Sequence, residues 1–154
     1  MKNTRRNPAF SLVEMVMVIV IIAVLAGLAT PRISRAMVKY RAGRAARVVV
    51  SDLQRARAHA LAEAKAVAIH FDLADSTIRI PSLPHPDHPA LRYRNQLSAE
   101  PYRATIIEAD FDSSPSVTFN GLGEPDSGGR VVVQCGDQQQ TIILHPSSAE
   151  AEVQ

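Results

Sequence analysis

Residues 10–29 read FSLVEMVMVIVIIAVLAGLA, twenty positions in which only Ser11 and Glu14 are polar. At 1.5 Å of rise per helical residue such a run is about 30 Å long, enough to cross a hydrocarbon core. An ionised carboxylate inside that core costs at least about 2.5 kcal/mol, so Glu14 needs a partner or a task. Upstream, Lys2, Arg5 and Arg6 form a short basic leader that ends in Pro8-Ala9. A cleavable secretory signal has an apolar region of about 7–15 residues and then a small-residue cleavage site. This run is longer and leads through Thr30-Pro31-Arg32 into more helix-compatible sequence. A plain signal anchor fits the length but leaves Glu14 unexplained. A third reading removes the leader between Ala9 and Phe10 and keeps the apolar helix.

The order Ala9, Phe10, Ser11, Leu12, Val13, Glu14, followed by an uninterrupted apolar helix, resembles the leader junction of type IV pilins and type II secretion pseudopilins. Two details differ from the commonest form of that junction: Ala9 stands for Gly, and Ser-Leu-Val for Thr-Leu-Ile or Thr-Leu-Val. The resemblance implies that a prepilin peptidase cuts on the cytoplasmic side between Ala9 and Phe10 and that Phe10 becomes N-methylated. It implies an assembly role for Glu14, whose carboxylate meets the terminal amine of a neighbouring subunit, and for Pro31, placed where relatives carry a helix-bending proline. Two charges paired in low dielectric roughly offset their desolvation, whereas one left alone costs several kcal/mol.

Length and composition bound the remainder. A chain of 154 residues has room for one modest domain beside a membrane helix. The single cysteine, Cys135, excludes an internal disulfide, and its setting in Arg-Val-Val-Val-Gln-Cys predicts a small buried hydrophobe. With no Trp and few other aromatics, the chain lacks a stacking platform for single-stranded nucleic acid.

The net charge of +2 conceals a basic stalk and an acidic head. Residues 1–65 carry twelve Lys or Arg against Glu14, Asp52 and Glu63, a balance of +9, whereas residues 66–154 balance to −7. Such asymmetry can mark contact with headgroups or nucleic acid, or simply the solvated face of a helix. The solvated face is the expectation here, with headgroup contact by Arg32 and Arg35. Cations flank the apolar run on both sides, so charge alone does not orient it. The prepilin-like junction implies a single-pass inner-membrane chain with its head on the periplasmic side.

Beyond Pro31 the helix is expected to continue to about residue 65, kinked at Pro31 and weakened at Gly43. Ile33, Met37, Tyr40, Val49, Leu53, Ala56 and Ala60 form an imperfect apolar stripe. Its half from Val49 to Ala60 is expected to pack on a head while the first half projects. From Ala66 the periodicity becomes two, and strands are predicted at 66–72, 77–80, 90–94, 103–109, 116–120, 130–135 and 140–145. Turn signals lie at Gly121-Leu122-Gly123 and Ser127-Gly128-Gly129. The expected fold is α+β, a long N-terminal helix laid on an antiparallel sheet. Its expected organisation is a leader at 1–9, a transmembrane helix at 10–30, an amphipathic extension at 31–65, a β-rich head at 66–146 and an acidic tail at 147–154.

The C-terminal order also resembles one branch of the pilin superfamily. Val117-Thr118-Phe119-Asn120-Gly121-Leu122-Gly123, a Gly-containing turn, a Val-rich strand and Gln140-Thr141-Ile142-Ile143-Leu144 look like H-type minor pseudopilins (GspH) and FimT minor pilins. Many FimT-type relatives end in a Gly-Arg-containing tail implicated in DNA binding. Here that stretch is Pro146-Ser147-Ser148-Ala149-Glu150-Ala151-Glu152, acidic and without Arg, so nucleic acid is not an expected partner.

His85-Pro86-Asp87-His88 has the residue types of a zinc site, with His70 or His145 as conceivable further ligands. Four prolines make 81–89 an extended surface loop without a rigid supporting shell, so no metal is expected. No nucleophile elbow, phosphate-binding glycine loop or paired-cysteine spacing occurs, so neither an enzyme nor a cofactor is expected. The expectation is a minor pseudopilin of type II secretion, with a minor pilin of a type IV pilus or DNA-uptake system as the alternative. Its expected partners are other pseudopilins or pilins through the N-terminal helix, prepilin peptidase and membrane lipid.

Overall fold

The computed structural model describes residues 11–86 and 88–154, with only the backbone described at 27–34. Helix α1 spans Leu12–Glu63, and eight strands follow. They are β1 (Val67–Asp72), β2 (Thr77–Pro84), β3 (Arg92–Gln96), β4 (Thr105–Asp110), β5 (Ser116–Phe119), β6 (Gly129–Cys135), β7 (Gln138–Leu144) and β8 (Ala151–Val153). The chain divides into two compact units, one ending at Ala36 and one formed by Met37–Gln154.

The α+β architecture expected from sequence is present. The backbone stays helical through Pro31 and through Gly43. At its start Ser11 caps α1: the Ser11 Oγ accepts the Glu14 amide at 3.2 Å, and the Ser11 carbonyl accepts the Met15 amide. Ser11-Leu12-Val13-Glu14 is therefore one half of a capping box, a second reason for a carboxylate at the head of the run. At the other end Ala64 takes a left-handed φ of 49°, and the Lys65 amide reaches back to the Ala60 carbonyl at 3.2 Å. That six-to-one bond closes the helix in a Schellman turn.

Within the Met37–Gln154 unit the strands form two antiparallel sheets, ordered β3-β2-β1-β5 and β4-β6-β7-β8, where the sequence suggested one. Alternation drives both: in β1, Val67, Ile69 and Phe71 are buried while His70 is exposed. Buried Ser76 joins them, its Oγ accepting the Ile106 amide at 3.1 Å. One core then collects the inner faces of both sheets and the helix, with Phe71 and Phe111 stacked at 5.5 Å.

The helix face in that core is Ala42, Ala45, Ala46, Val49, Leu53, Ala56 and Ala60. The contact thus starts seven residues before the expected Val49, and Met37 and Tyr40 of the expected stripe lie outside, 49% and 61% exposed. Alanine fills four of the first six apolar α1 core positions from Ala42 to Ala56, so this face buries small side chains. A head cut at Ala66 would lose this face, so the head requires the helix from about Met37.

Two other departures are local. The strand expected at 77–80 runs on to Pro84, through prolines that sequence placed in a loop. A register shift between Ile80 and Pro84 admits them, since a proline cannot donate to a regular ladder. The acidic tail also contributes a strand: Ala151–Val153 pairs with Ile142–Leu144, and Ala149 and Ala151 are buried.

Candidate assembly site

The apolar helix is the first candidate. From Leu12 to Leu25 every large aliphatic side chain is at least 48% exposed, on all sides of the helix. A helix that is hydrophobic all round is stable only when lipid or other apolar helices surround it. Among the described residues no helix is long and apolar enough to cross a membrane. Phe10 and the side chains of 27–29, which belong to the twenty-residue run read from sequence, lie outside that description.

The site residues expected from sequence fall in different places. Ala9 and Phe10 lie outside the described residues. Glu14 sits in the first turn of α1, exposed, where the helix dipole favours a negative charge. Pro31 lies within the helical backbone, and its side chain is outside the description.

Asp52 is the residue that sequence reading missed. It is 1% exposed on the core face of α1, three residues after Val49 and four before Ala56. The Tyr93 hydroxyl donates to one carboxylate oxygen at 2.6 Å and the Asn95 amide to the other at 3.0 Å. Arg55 lies 3.7 Å from the carboxylate and covers the Tyr93 ring at 5.0 Å. Burial pushes the Asp52 carboxyl above the usual carboxylate range, against the pull of Tyr93, Asn95 and Arg55. Burial, and then the carboxylate beside it, push the Tyr93 hydroxyl up, so it stays a donor. The cluster ties α1 to β3 and fixes how the helix lies on its sheet. A carboxylate on an apolar stripe, in Val-Val-Val-Ser-Asp-Leu, was the signal available in the sequence.

The Gly-rich motif does similar work at the far end of α1. Gly121 touches the helix terminus so closely that a Cβ there would stand 2.8 Å from the Ala64 carbonyl carbon. Gly123 combines a φ of +75° with contact against Leu61. Asn120 holds the loop, its Oδ1 accepting the Leu122 and Glu124 amides at 2.9 and 3.0 Å. At the other conspicuous loop, His85 stacks on His88 at 5.7 Å and on Tyr93 at 6.5 Å. Asp87 lies outside the described residues, among which no three His, Cys, Asp or Glu side chains gather around one point. Cys135 is buried at the end of β6.

Two sequence-family matches fall on the two parts of the chain. The prokaryotic N-terminal methylation motif matches residues 4–30. The family described as Type II transport protein GspH matches residues 45–148, two thirds of the chain. The chain belongs to the GspH family. It is a pilin-like subunit, and the latch at Asp52 and the loop at Asn120–Gly123 both lie within the matched span.

The fold agrees with that membership. A crystal structure of the type IV minor pilin FimU from Pseudomonas aeruginosa aligns with a TM-score of 0.54 at 15% identity, covering 73% of this chain and 87% of FimU. A second crystal form of FimU gives a TM-score of 0.53 at 13% identity, over 73% of this chain and 91% of FimU. Among curated proteins none matches the sequence. This chain therefore has a fold similar to that of FimU at low sequence identity.

Proposed function

We propose that this GspH-family chain is a minor pseudopilin, a structural subunit that supports protein export by a type II secretion apparatus. Prepilin peptidase removes residues 1–9, Phe10 becomes the methylated terminus, and the helix anchors the chain in the inner membrane with the head in the periplasm. Glu14 pairs with the terminal amine of a neighbouring subunit, and Pro31 sets the bend by which the helix enters the filament. The chain works by helix packing and not by catalysis. The observation that carries this reading is the helix Leu12–Leu25, apolar on all sides and exposed on all of them, with its one carboxylate at the capped end.

The alternative, a minor pilin of a type IV pilus or DNA-uptake system, draws on the fold shared with FimU. Two features favour secretion. The tail that would grip DNA is acidic, and it is tied down through β8 and through Arg57, whose guanidinium donates to the Ala149 carbonyl at 3.2 Å. Of the five head arginines, Arg79, Arg94, Arg103 and Arg130 are already held by carboxylates of the head itself. Phosphate contacts need free cations.

Deleting the gene and scoring both processes separates the readings. Export of type II substrates should fall to background, while twitching and DNA uptake keep their wild-type level. Normal export with lost piliation or uptake would assign the chain to the pilus.

A further inference from the structure

Between Glu14 and Asp52 the chain carries no carboxylate, yet residues 32–47 hold six cations: Arg32, Arg35, Lys39, Arg41, Arg44 and Arg47. Among the described residues Lys39, Arg44 and Arg47 are exposed, Arg41 is half-buried, and none of these four has an ion-pair partner. So dense a run of one sign attracts anions from outside the chain. With the head in the periplasm, these cations also oppose the topology. All six lie within eighteen residues of Ala29, the end of the apolar run, against three in the leader. Positive charge that close to a membrane helix favours the cytoplasmic side. An excess carried against that preference has work to do outside.

The four cations form a collar and not a stripe. Counted from Lys39 at 100° per residue, Arg47, Arg44 and Arg41 point about 80°, 140° and 200° round the helix. Ala42 and Ala45, buried in the core, take up the remaining arc. A protein partner meets one stripe of a helix, whereas charge on every free side suits a layer that surrounds it. Met37 and Tyr40 lie among the cations, 49% and 61% exposed, and Arg44 covers the Tyr40 ring at 5.7 Å. A ring with a polar tip and long cationic side chains, just past an apolar span, is the composition of a bilayer interface. Lys39 comes ten residues after Ala29, about 15 Å of helix. A headgroup layer of about 5–8 Å and a Debye length of about 8 Å reach that far. Arg44 and Arg47 follow at about 22 and 27 Å, so the attraction weakens along the segment.

We infer that the Lys39–Arg47 segment of α1 binds the anionic phospholipid headgroups of the leaflet from which the chain emerges. The inference rests on the membrane-anchored reading above and gives it a lipid class, anionic and not zwitterionic. Nucleic acid offers the same phosphate chemistry, but the anchor holds this segment beside lipid phosphate at high local concentration. The contact keeps the stalk of an unassembled subunit on the bilayer and is given up when the filament takes the subunit.

The test reconstitutes the full-length protein in phosphatidylcholine vesicles with increasing phosphatidylglycerol. The chain has no Trp, so Tyr40→Trp places a single reporter at an exposed position within the collar. Either orientation of insertion brings that reporter to the same lipid mixture. Its emission should move to shorter wavelength as phosphatidylglycerol rises, stay unchanged in phosphatidylcholine alone, and return in high salt. Lys39→Gln, Arg44→Gln and Arg47→Gln together should raise the phosphatidylglycerol needed for the same shift at least about fivefold. Lys39→Gln alone should cost more than Arg47→Gln alone, and Lys39→Arg, which keeps the charge, should respond like its parent. An emission that ignores phosphatidylglycerol, or a response that the triple variant retains, would overturn the inference. A larger shift with duplex DNA on phosphatidylcholine vesicles than with phosphatidylglycerol would overturn it too and give the collar to nucleic acid. A chain cut after Ala9 that shows no preference for phosphatidylglycerol would leave the membrane-anchored reading standing and remove this contact alone.

Discussion

Glu14→Leu is expected to keep the chain in the membrane and shut it out of the filament. The substitution removes the one carboxylate of the apolar run, so insertion becomes more favourable by at most about 3 kcal/mol. On the proposed pairing, however, the neighbour's terminal amine loses its counter-charge in an environment where an unpaired charge costs several kcal/mol. Each kilocalorie and a half lost from a contact lowers its population about tenfold, so incorporation should drop below detection. The capping role gives a control. Glu14→Gln keeps a group able to complete the box with Ser11 but has no charge, whereas Glu14→Asp keeps the charge on a shorter side chain. If pairing governs assembly, Asp should retain more incorporation than Gln. If capping alone explains the residue, Gln should assemble like wild type. Cross-linking of membrane fractions, scored beside export, reads both outcomes.

The second large effect is at Asp52. Asp52→Ala removes the partner of the buried Tyr93 hydroxyl and of the half-buried Asn95 amide and opens a small void between α1 and β3. Each unsatisfied buried group costs about 1–3 kcal/mol, so the fragment 37–154 should lose about 3 kcal/mol in urea unfolding. Asp52→Asn, which can still accept from Tyr93, should lose much less and should also change the pH dependence. The folded carboxyl titrates above its unfolded value, so its contribution is fully present below the unfolded pKa. That contribution is lost as pH rises through the folded one. Wild type should therefore lose stability relative to Asp52→Asn as pH rises from the unfolded carboxylate range toward neutrality. A difference that stays flat with pH would mean the carboxylate is not desolvated as the geometry indicates.

What could be read from the sequence follows the strength of the local signals. The apolar run, the change from helical to alternating periodicity at Ala66 and the glycine turns each rest on many residues that agree, and the corresponding elements are present. The start of the helix contact was hidden because Ala42, Ala45 and Ala46 look like helix-forming filler until a sheet lies against them. Pro81 and Pro84 argued for a loop because the bulge that admits them into β2 depends on β3. The strand at Ala151–Val153 had three residues and two small side chains as its whole signal; pairing with β7 makes it a strand. The packing of the two sheets against each other involves the bond from the Ile106 amide to Ser76 and the stack of Phe71 with Phe111, contacts between segments far apart in the chain that local sequence does not signal. Glu14 was conspicuous in the sequence as a carboxylate in an apolar run. Asp52 was not, although the same argument applied to it.

The reading of the chain as a processed, filament-forming subunit stands or falls on its mature terminus. Intact-mass analysis of the protein extracted from membranes should find a chain that lacks residues 1–9 and carries one added methyl group on Phe10. Ala9→Leu should leave the precursor uncut. A terminus at Met1 in the wild-type protein, or one created near Gly27–Ala29 with loss of the apolar helix, would contradict it.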